Sequence, residues 1–269
     1  MLNNENIALI ETYFNTVVLT RAQLNEKTED TIIPMTQLLE NPEKLRELAT
    51  WYQHAHQFKS LASASSQVSK YLARHSCAVF FMVSVLRMTE PFHPASWYIR
   101  WDQQYHYPQL LVVKPESPAL SEPGEAQPRS GEQTLQELFQ YWLIPLVERI
   151  SAMTRLKTDL LWENIFVYIR FYYLRFLESC KSDVSMYAMI EKEYTWITMT
   201  SPAPWHPANI ANPFAGLHET IPHPVNEAET FLVRQTCCLR DQGNDGKKCS
   251  SCPLLQPEER YQQLEQLAK

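Results

Sequence analysis

The sequence predicts an α+β fold, mainly helical: a helical body, a small β-sheet and a C-terminal cysteine-rich segment. Three observations carry that prediction. Apolar residues recur at three- and four-residue spacing through much of the chain. Two short runs of aromatic and β-branched residues interrupt them between residues 96 and 113. Four of the six cysteines fall within residues 237–252, in the pattern C-C-x10-C-x2-C.

The first helix is expected over Asn6–Ala22, where Ile10, Tyr13, Phe14, Val17 and Val18 form a stripe. Asn41-Pro42-Glu43 reads as an N-cap with proline at the first helical position, and Leu45, Leu48, Trp51 and Tyr52 continue one face. A third helix is expected over Gln67–Met88. Its second half is apolar enough to be buried on most sides, and the run Cys77–Leu86 is far shorter than the ~20 residues that span a bilayer. Ser96–Trp101 and Gln109–Val113 read as strands paired through the loop Asp102–Pro108.

Pro115–Glu132, rich in proline, glycine and serine, reads as a surface excursion. A helix over Thr134–Met153 contains Pro145, which predicts a kink or break. Leu160–Glu178 is dense in aromatics, most of them expected in the core. Ser201–Asn226 carries six prolines and is expected to be extended. A final helix is expected over Glu258–Lys269, with Tyr261, Leu264 and Leu267 on one face. These elements divide into a body, residues 1–225, and a cysteine-bearing segment, residues 226–269.

Composition narrows the function. With 5 glycines against 18 prolines, the chain has no G-x-G-x-x-G or G-x4-G-K-[ST] loop for phosphates. A net charge of -6 argues against nucleic acid as a partner. Met1–Asn6 lacks the basic and apolar regions of a signal peptide, so the chain reads as cytoplasmic. Thiols stay reduced there, which favours metal or cluster ligation over disulfides. Cys77 and Cys180 stand alone and read as small buried hydrophobes.

Cys237, Cys238, Cys249 and Cys252 have the number and proximity of a metal or cluster site. A 2Fe–2S cluster takes four protein ligands, two per iron. Structural zinc usually takes two C-x2-C knuckles, and only Cys249–Cys252 has that form. Adjacent Cys237 and Cys238 reach one small centre only over irregular backbone, and a two-iron cluster is the larger target. Spacing alone leaves cluster, zinc and redox dithiol open, with the cluster favoured. Between Leu232 and Cys252, Arg234, Arg240, Lys247 and Lys248 face only Asp241 and Asp245, a local charge of +2 suited to stabilising an anionic cluster. Gly243 and Gly246 suit tight turns in the connecting loop. His206, His218 and His223 lie in the preceding proline-rich stretch, but four cysteines already suffice as ligands.

The motif resembles the FhuF-type ferric-siderophore reductases. It is entered by Leu232-Val233-Arg234-Gln235-Thr236 and followed by Pro253-Leu254. Leu160-Leu161-Trp162-Glu163-Asn164 is similar to the family's L-x-W-x-N stretch, and Asn212-Pro213 to an N-P before the cysteines. The resemblance implies a 2Fe–2S cluster on the four cysteines and one-electron reduction of iron held by a hydroxamate-type siderophore. It also implies a cytoplasmic protein, in some members at the inner membrane surface, supplied by a ferredoxin, flavodoxin or flavin reductase. Expected substrate contacts are Arg234 and Arg240, then Trp162 and Asn164 by resemblance, with Trp97, Arg100 and Trp101 as outside candidates. The alternatives are a zinc-stabilised binding or scaffold domain and an iron–sulfur partner in siderophore metabolism.

Overall fold

A computed structural model describes residues 4–26, 32–87, 94–101, 106–113, 131–223, 226 and 230–267. The predicted first helix divides. Helix α1 (Asn4–Phe14) ends where Asn15 takes a left-handed φ of 51°, and the β-branched run that follows forms strand β1 (Thr16–Leu19). The short helix α2 (Arg21–Asn25) then starts from a Thr20–Gln23 capping box. Strand β2 (Ile32–Pro34) and helix α3 (Met35–Glu40) were not anticipated. Helix α4 (Pro42–Ala55) begins as expected, with the Asn41 side chain accepting from the Glu43 amide at 3.0 Å.

Helix α5 (Leu61–Ser84) starts six residues before its predicted Gln67, at a capping box in which Ser60 and Ser63 satisfy each other's amides. Near its start, residues 62–66 (Ala-Ser-Ala-Ser-Ser) are side chains too small to hold neighbours away. That lets α5 run through the centre of the molecule, buried on nearly every side, so the Cys77–Ser84 stretch is core. Among the described residues, no helix is long and apolar enough to cross a membrane.

Strands β3 (Trp97–Arg100) and β4 (Gln109–Val113) form the expected antiparallel pair. β1 joins β4 in parallel and β2 joins β3 antiparallel, giving a mixed sheet of order β1-β4-β3-β2. Alternation along the strands sets the two faces. Ile33, Trp97, Ile99, Leu110 and Val112 face the main core, while Leu111, Val113 and Leu19 are covered by Leu24 of α2. Most of the excursion Pro115–Glu132 and part of the loop Asp102–Pro108 lie outside the described residues.

Helix α6 (Gly131–Leu138) passes into a single π-helical stretch, Phe139–Leu143, before helix α7 (Ile144–Thr154). The wider turn accommodates Pro145 without ending the rod, so the predicted break is a register change. Helix α8 (Thr158–Ser179) packs along α5, and helix α9 (Val184–Thr198), which sequence reading missed, packs on α8. Trp142, Phe139, Trp205, Trp162, Phe166 and Phe214 form an aromatic core between them, with Phe139 and Trp205 stacked at 4.1 Å. Each such side chain contributes about 1.5–3 kcal/mol by leaving water.

The proline-rich stretch is mostly irregular, as expected, but strand β5 (Thr220–Pro222) pairs with strand β6 (Thr230–Leu232). Residue 225, the expected boundary between body and cysteine segment, lies outside the described residues. Asn212 pins the stretch to the end of α9, donating to the Ile197 and Thr200 carbonyls at 2.9 Å and accepting from the Phe214 amide. Helix α10 (Pro257–Leu267) closes the chain, burying Leu264 and leaving Tyr261 largely exposed. Cys77 and Cys180 are buried, each bonded to a carbonyl of its own helix, as their isolation predicted.

His75 of α5 is wholly buried, its ring nitrogens 3.2 Å from the Phe14 carbonyl and 3.4 Å from that of Pro108. Burial, the largest influence, depresses its pKa from 6.5 to about 4. The unfolded chain takes up this proton first as pH falls. The stabilisation is therefore intact above pH 6.5 and is lost between there and about 4, roughly 3 kcal/mol in all. Urea unfolding across that range should show this loss, and His75→Gln should show less of it.

Candidate iron–sulfur site

The cysteine segment is held to the helical body by a buried polar network. Glu163 and Asn164 project from α8, one turn from its start, while their neighbour Trp162 enters the aromatic core. The Glu163 carboxylate accepts from the amides of Gln235 (2.5 Å) and Thr236 (2.8 Å), from the Thr236 hydroxyl, and from Arg234 Nη2 at 3.4 Å. Arg234 Nη2 also donates to Asn164 Oδ1 at 2.7 Å, and Asn164 Nδ2 donates to Ser66 and Ser69 of α5. Arg234 is 2% exposed and Asn164 fully buried.

This burial corrects the expected substrate roles. Arg234, Asn164 and Trp162 are anchors enclosed by protein and offer a substrate nothing to touch. Trp97 lies in the sheet against Trp142, and Arg100 donates to Gln109 across the β3–β4 pair, while Trp101 is core. Arg240 alone of the expected contacts is substantially exposed, and it pairs with Asp245 at 3.1 Å.

The two halves of the motif meet through backbone. The Arg234 amide donates to the Ser251 carbonyl at 2.9 Å, and the Cys252 amide to that of Cys249 at 2.9 Å. Arg260 of α10, buried, donates to the carbonyls of Ser250, Cys252 and Leu255 and holds the second cysteine turn in shape. In the first turn Leu239 takes a left-handed φ of 60°, and its amide lies 3.4 Å from Cys237 Sγ. That is the irregular backbone adjacent cysteines were expected to need.

The loop between the halves rests on the α4–α5 junction. Lys59 donates its amide to the Gln242 carbonyl, and Asn244 donates to that of His56. Gly246 occupies the left-handed region (φ 59°), as a tight turn requires. Gly243 is there for space: a Cβ would stand 2.9 Å from the ring of buried Phe58. Gly243→Val should cost about 1–3 kcal/mol through overpacking, read as a lower urea midpoint, with weaker retention of bound iron as the loop lifts.

Cys238 is the most enclosed of the four. Its carbonyl accepts from Ser66 Oγ (2.8 Å) and Gln67 Nε2 (2.6 Å), and Lys70 Nζ lies 3.8 Å from its sulfur. Its Sγ is 3.9 Å from that of Cys249. The Cys249 thiol hydrogen bond, then Lys70 and Arg234, pull the Cys238 thiol well below its usual value. Cys249 is pushed up as the partner that keeps the proton. Burial raises Cys237, against the Leu239 amide, and Cys252 is the thiol acting most strongly on it. Among the described residues, no three His, Cys, Asp or Glu side chains converge as around a single bound ion.

The residues present fit a two-iron cluster. Two thiolates on one tetrahedral metal, with bonds of about 2.3 Å, stand about 3.8 Å apart, close to the Cys238–Cys249 separation. Four thiols are also the number of protein ligands that two irons would require. Arg234 Nε and Nη1 are buried with no hydrogen-bond partner, donors of the kind that cluster sulfurs accept. His206, His218 and His223 instead pack against Trp205, Phe166 and Phe231.

Sequence reading missed Ser66, Gln67, Lys70, Glu163 and Arg260. Glu163 lay inside the quoted Leu160–Asn164 stretch. The others carried no motif, because their roles come from helices packed against the segment.

A helical body that presents four thiols beside buried N–H donors and a lysine has the ligands of an iron–sulfur protein. The family model described as the FhuF 2Fe-2S C-terminal domain matches residues 234–254, which span all four cysteines. Residues 234–254 are thus similar to a FhuF-type 2Fe–2S segment, which indicates a 2Fe–2S cluster on the cysteines they contain. No curated protein matches the chain.

Proposed function

We propose that this protein is a ferric-siderophore reductase of the cytoplasm, with Cys237, Cys238, Cys249 and Cys252 as cluster ligands. The observation that supports it most is the exposure pattern of the four thiols: Cys238 and Cys252 are buried, while Cys237 and Cys249 are half-buried. Such a centre is anchored on one side and open to a docking partner on the other. The bound 2Fe–2S cluster supplies a one-electron store. The substrate is Fe(III) held by the hard oxygen ligands of a hydroxamate-type siderophore; Fe(II) stands near the low end of the divalent affinity order, so one electron loosens the chelate.

The chain's own residues hold and shield the centre. Glu163, Asn164 and Arg234 anchor the turn that carries Cys237 and Cys238, and Arg260 the turn that carries Cys249 and Cys252. Arg240, at the exposed edge, is the residue assigned to meet the oxygen ligands of the chelate. In this reading residues 1–225 provide the platform and residues 226–269 the redox centre, with a ferredoxin, flavodoxin or flavin reductase as donor.

The test is a visible spectrum of protein prepared without oxygen, with iron, sulfide and zinc measured on the same sample. A coloured protein that bleaches on reduction and recovers on adding ferric hydroxamate siderophore, with Fe(II) trapped by a ferrous chelator, is the expected result. Failure of the reduced protein to be reoxidised by ferric siderophore would overturn the reductase. A colourless protein with stoichiometric zinc would make the cysteines structural.

A further inference from the structure

The positive charges around the motif are not equivalent once their partners are known. Arg234 is balanced by Glu163 at 3.4 Å, and Arg240 by Asp245 at 3.1 Å. Lys247 is exposed, so water and salt screen it. Lys70, contributed by α5 and 168 residues away in sequence, points its ammonium at Cys238 Sγ, 3.8 Å away, and among the described residues pairs with no carboxylate. It is half-buried, one helical turn from Ser66 and Gln67, which grip the Cys238 carbonyl. Cys238 is thus positioned by two polar side chains of α5 and faced by a cation from the same helix.

We propose that Lys70 is a positioning residue for electron transfer: its charge sets the reduction potential of the cluster held at Cys238. The inference rests on the cluster reading above. Reduction adds one negative charge to a centre that is already anionic. A nearby uncompensated ammonium favours the reduced form and raises the potential. Because Ser66 and Gln67 hold the backbone, removing the ammonium should change the potential without displacing the cysteine.

The experiment is a redox titration of the intact chain, followed by visible absorption, with iron and sulfide content measured for each variant. Lys70→Met should shift the reduction equilibrium about tenfold toward the oxidised form, a drop of about 59 mV for one electron, at wild-type cluster content. Lys70→Arg should stay close to wild type. Lys247→Met, which removes the same formal charge from an exposed site, should shift it less, and that smaller shift should vanish at high salt while most of the Lys70→Met shift persists.

A Lys70→Met protein with full cluster and an unchanged potential would overturn the proposal while leaving the reductase reading intact. Loss of the cluster from both Lys70 variants would make the residue structural and overturn it too. A wild-type protein lacking iron and sulfide after anaerobic reconstitution would overturn the cluster reading as well. A normal potential shift in a protein that ferric siderophore cannot reoxidise would sink the reductase and keep this inference.

Discussion

Glu163→Ala should cost about 3–5 kcal/mol and strip the protein of most of its cluster. The carboxylate is the shared acceptor for the Gln235 and Thr236 amides, the Thr236 hydroxyl and Arg234. Its removal leaves the Arg234 guanidinium, 2% exposed, as an uncompensated buried charge. Breaking a buried pair from one side is worth about that much, a large share of the roughly 5–15 kcal/mol that holds a domain folded. Arg234 retains Asn164 as an acceptor, so the cost should stay short of unfolding. The residue just before Cys237 would no longer be held, and the first cysteine pair would lose its fixed position. Urea unfolding followed by circular dichroism reads the stability, and iron and sulfide analysis reads the cluster. Glu163→Gln, which keeps an acceptor and loses the charge, should fall between. Wild-type stability and full cluster content in Glu163→Ala would show that the network does not anchor the segment.

Cys238→Ser should abolish the cluster and leave the fold nearly intact. The backbone at Cys238 is held by Ser66 and Gln67 through its carbonyl, not through its sulfur. Serine can therefore occupy the position without moving the loop. The sulfur, by contrast, is the atom set 3.9 Å from Cys249 Sγ. Loss of a supporting group around a metal costs roughly 10–100-fold in affinity, and loss of a ligand should cost more. Cys180→Ser is the matched control: its hydroxyl can replace the thiol bond to the Phe176 carbonyl, and the cluster should be retained. Visible absorption of anaerobically prepared protein distinguishes the two. A Cys238→Ser protein with full colour would remove Cys238 from the ligand set.

The helical body was legible wherever periodicity ran long and caps were explicit, as at Asn41-Pro42 and along α8. It was misread where local signals conflicted. Val17 and Val18 fit a helical stripe by spacing, yet their β-branched side chains belong to a strand that exists only because β4 lies beside it. The π stretch before Pro145 is likewise a packing solution that the proline signals without specifying. Short strands such as β2, β5 and β6 owe their definition to partners and carry little pattern of their own.

The cysteine spacing supplied the ligands: four thiols at C-C-x10-C-x2-C lie within reach of one loop, because ligand type and number are local properties, and the resemblance over residues 234–254 selected a 2Fe–2S centre from among the possible occupants. What surrounds that centre followed from packing. It turned Trp162, Asn164 and Arg234 from expected substrate contacts into buried anchors, and it brought Lys70, Ser66 and Gln67 from α5 to Cys238. Burial and charge balance depend on which helices pack together, and residues distant in the chain acquire a role at the cluster only through that packing.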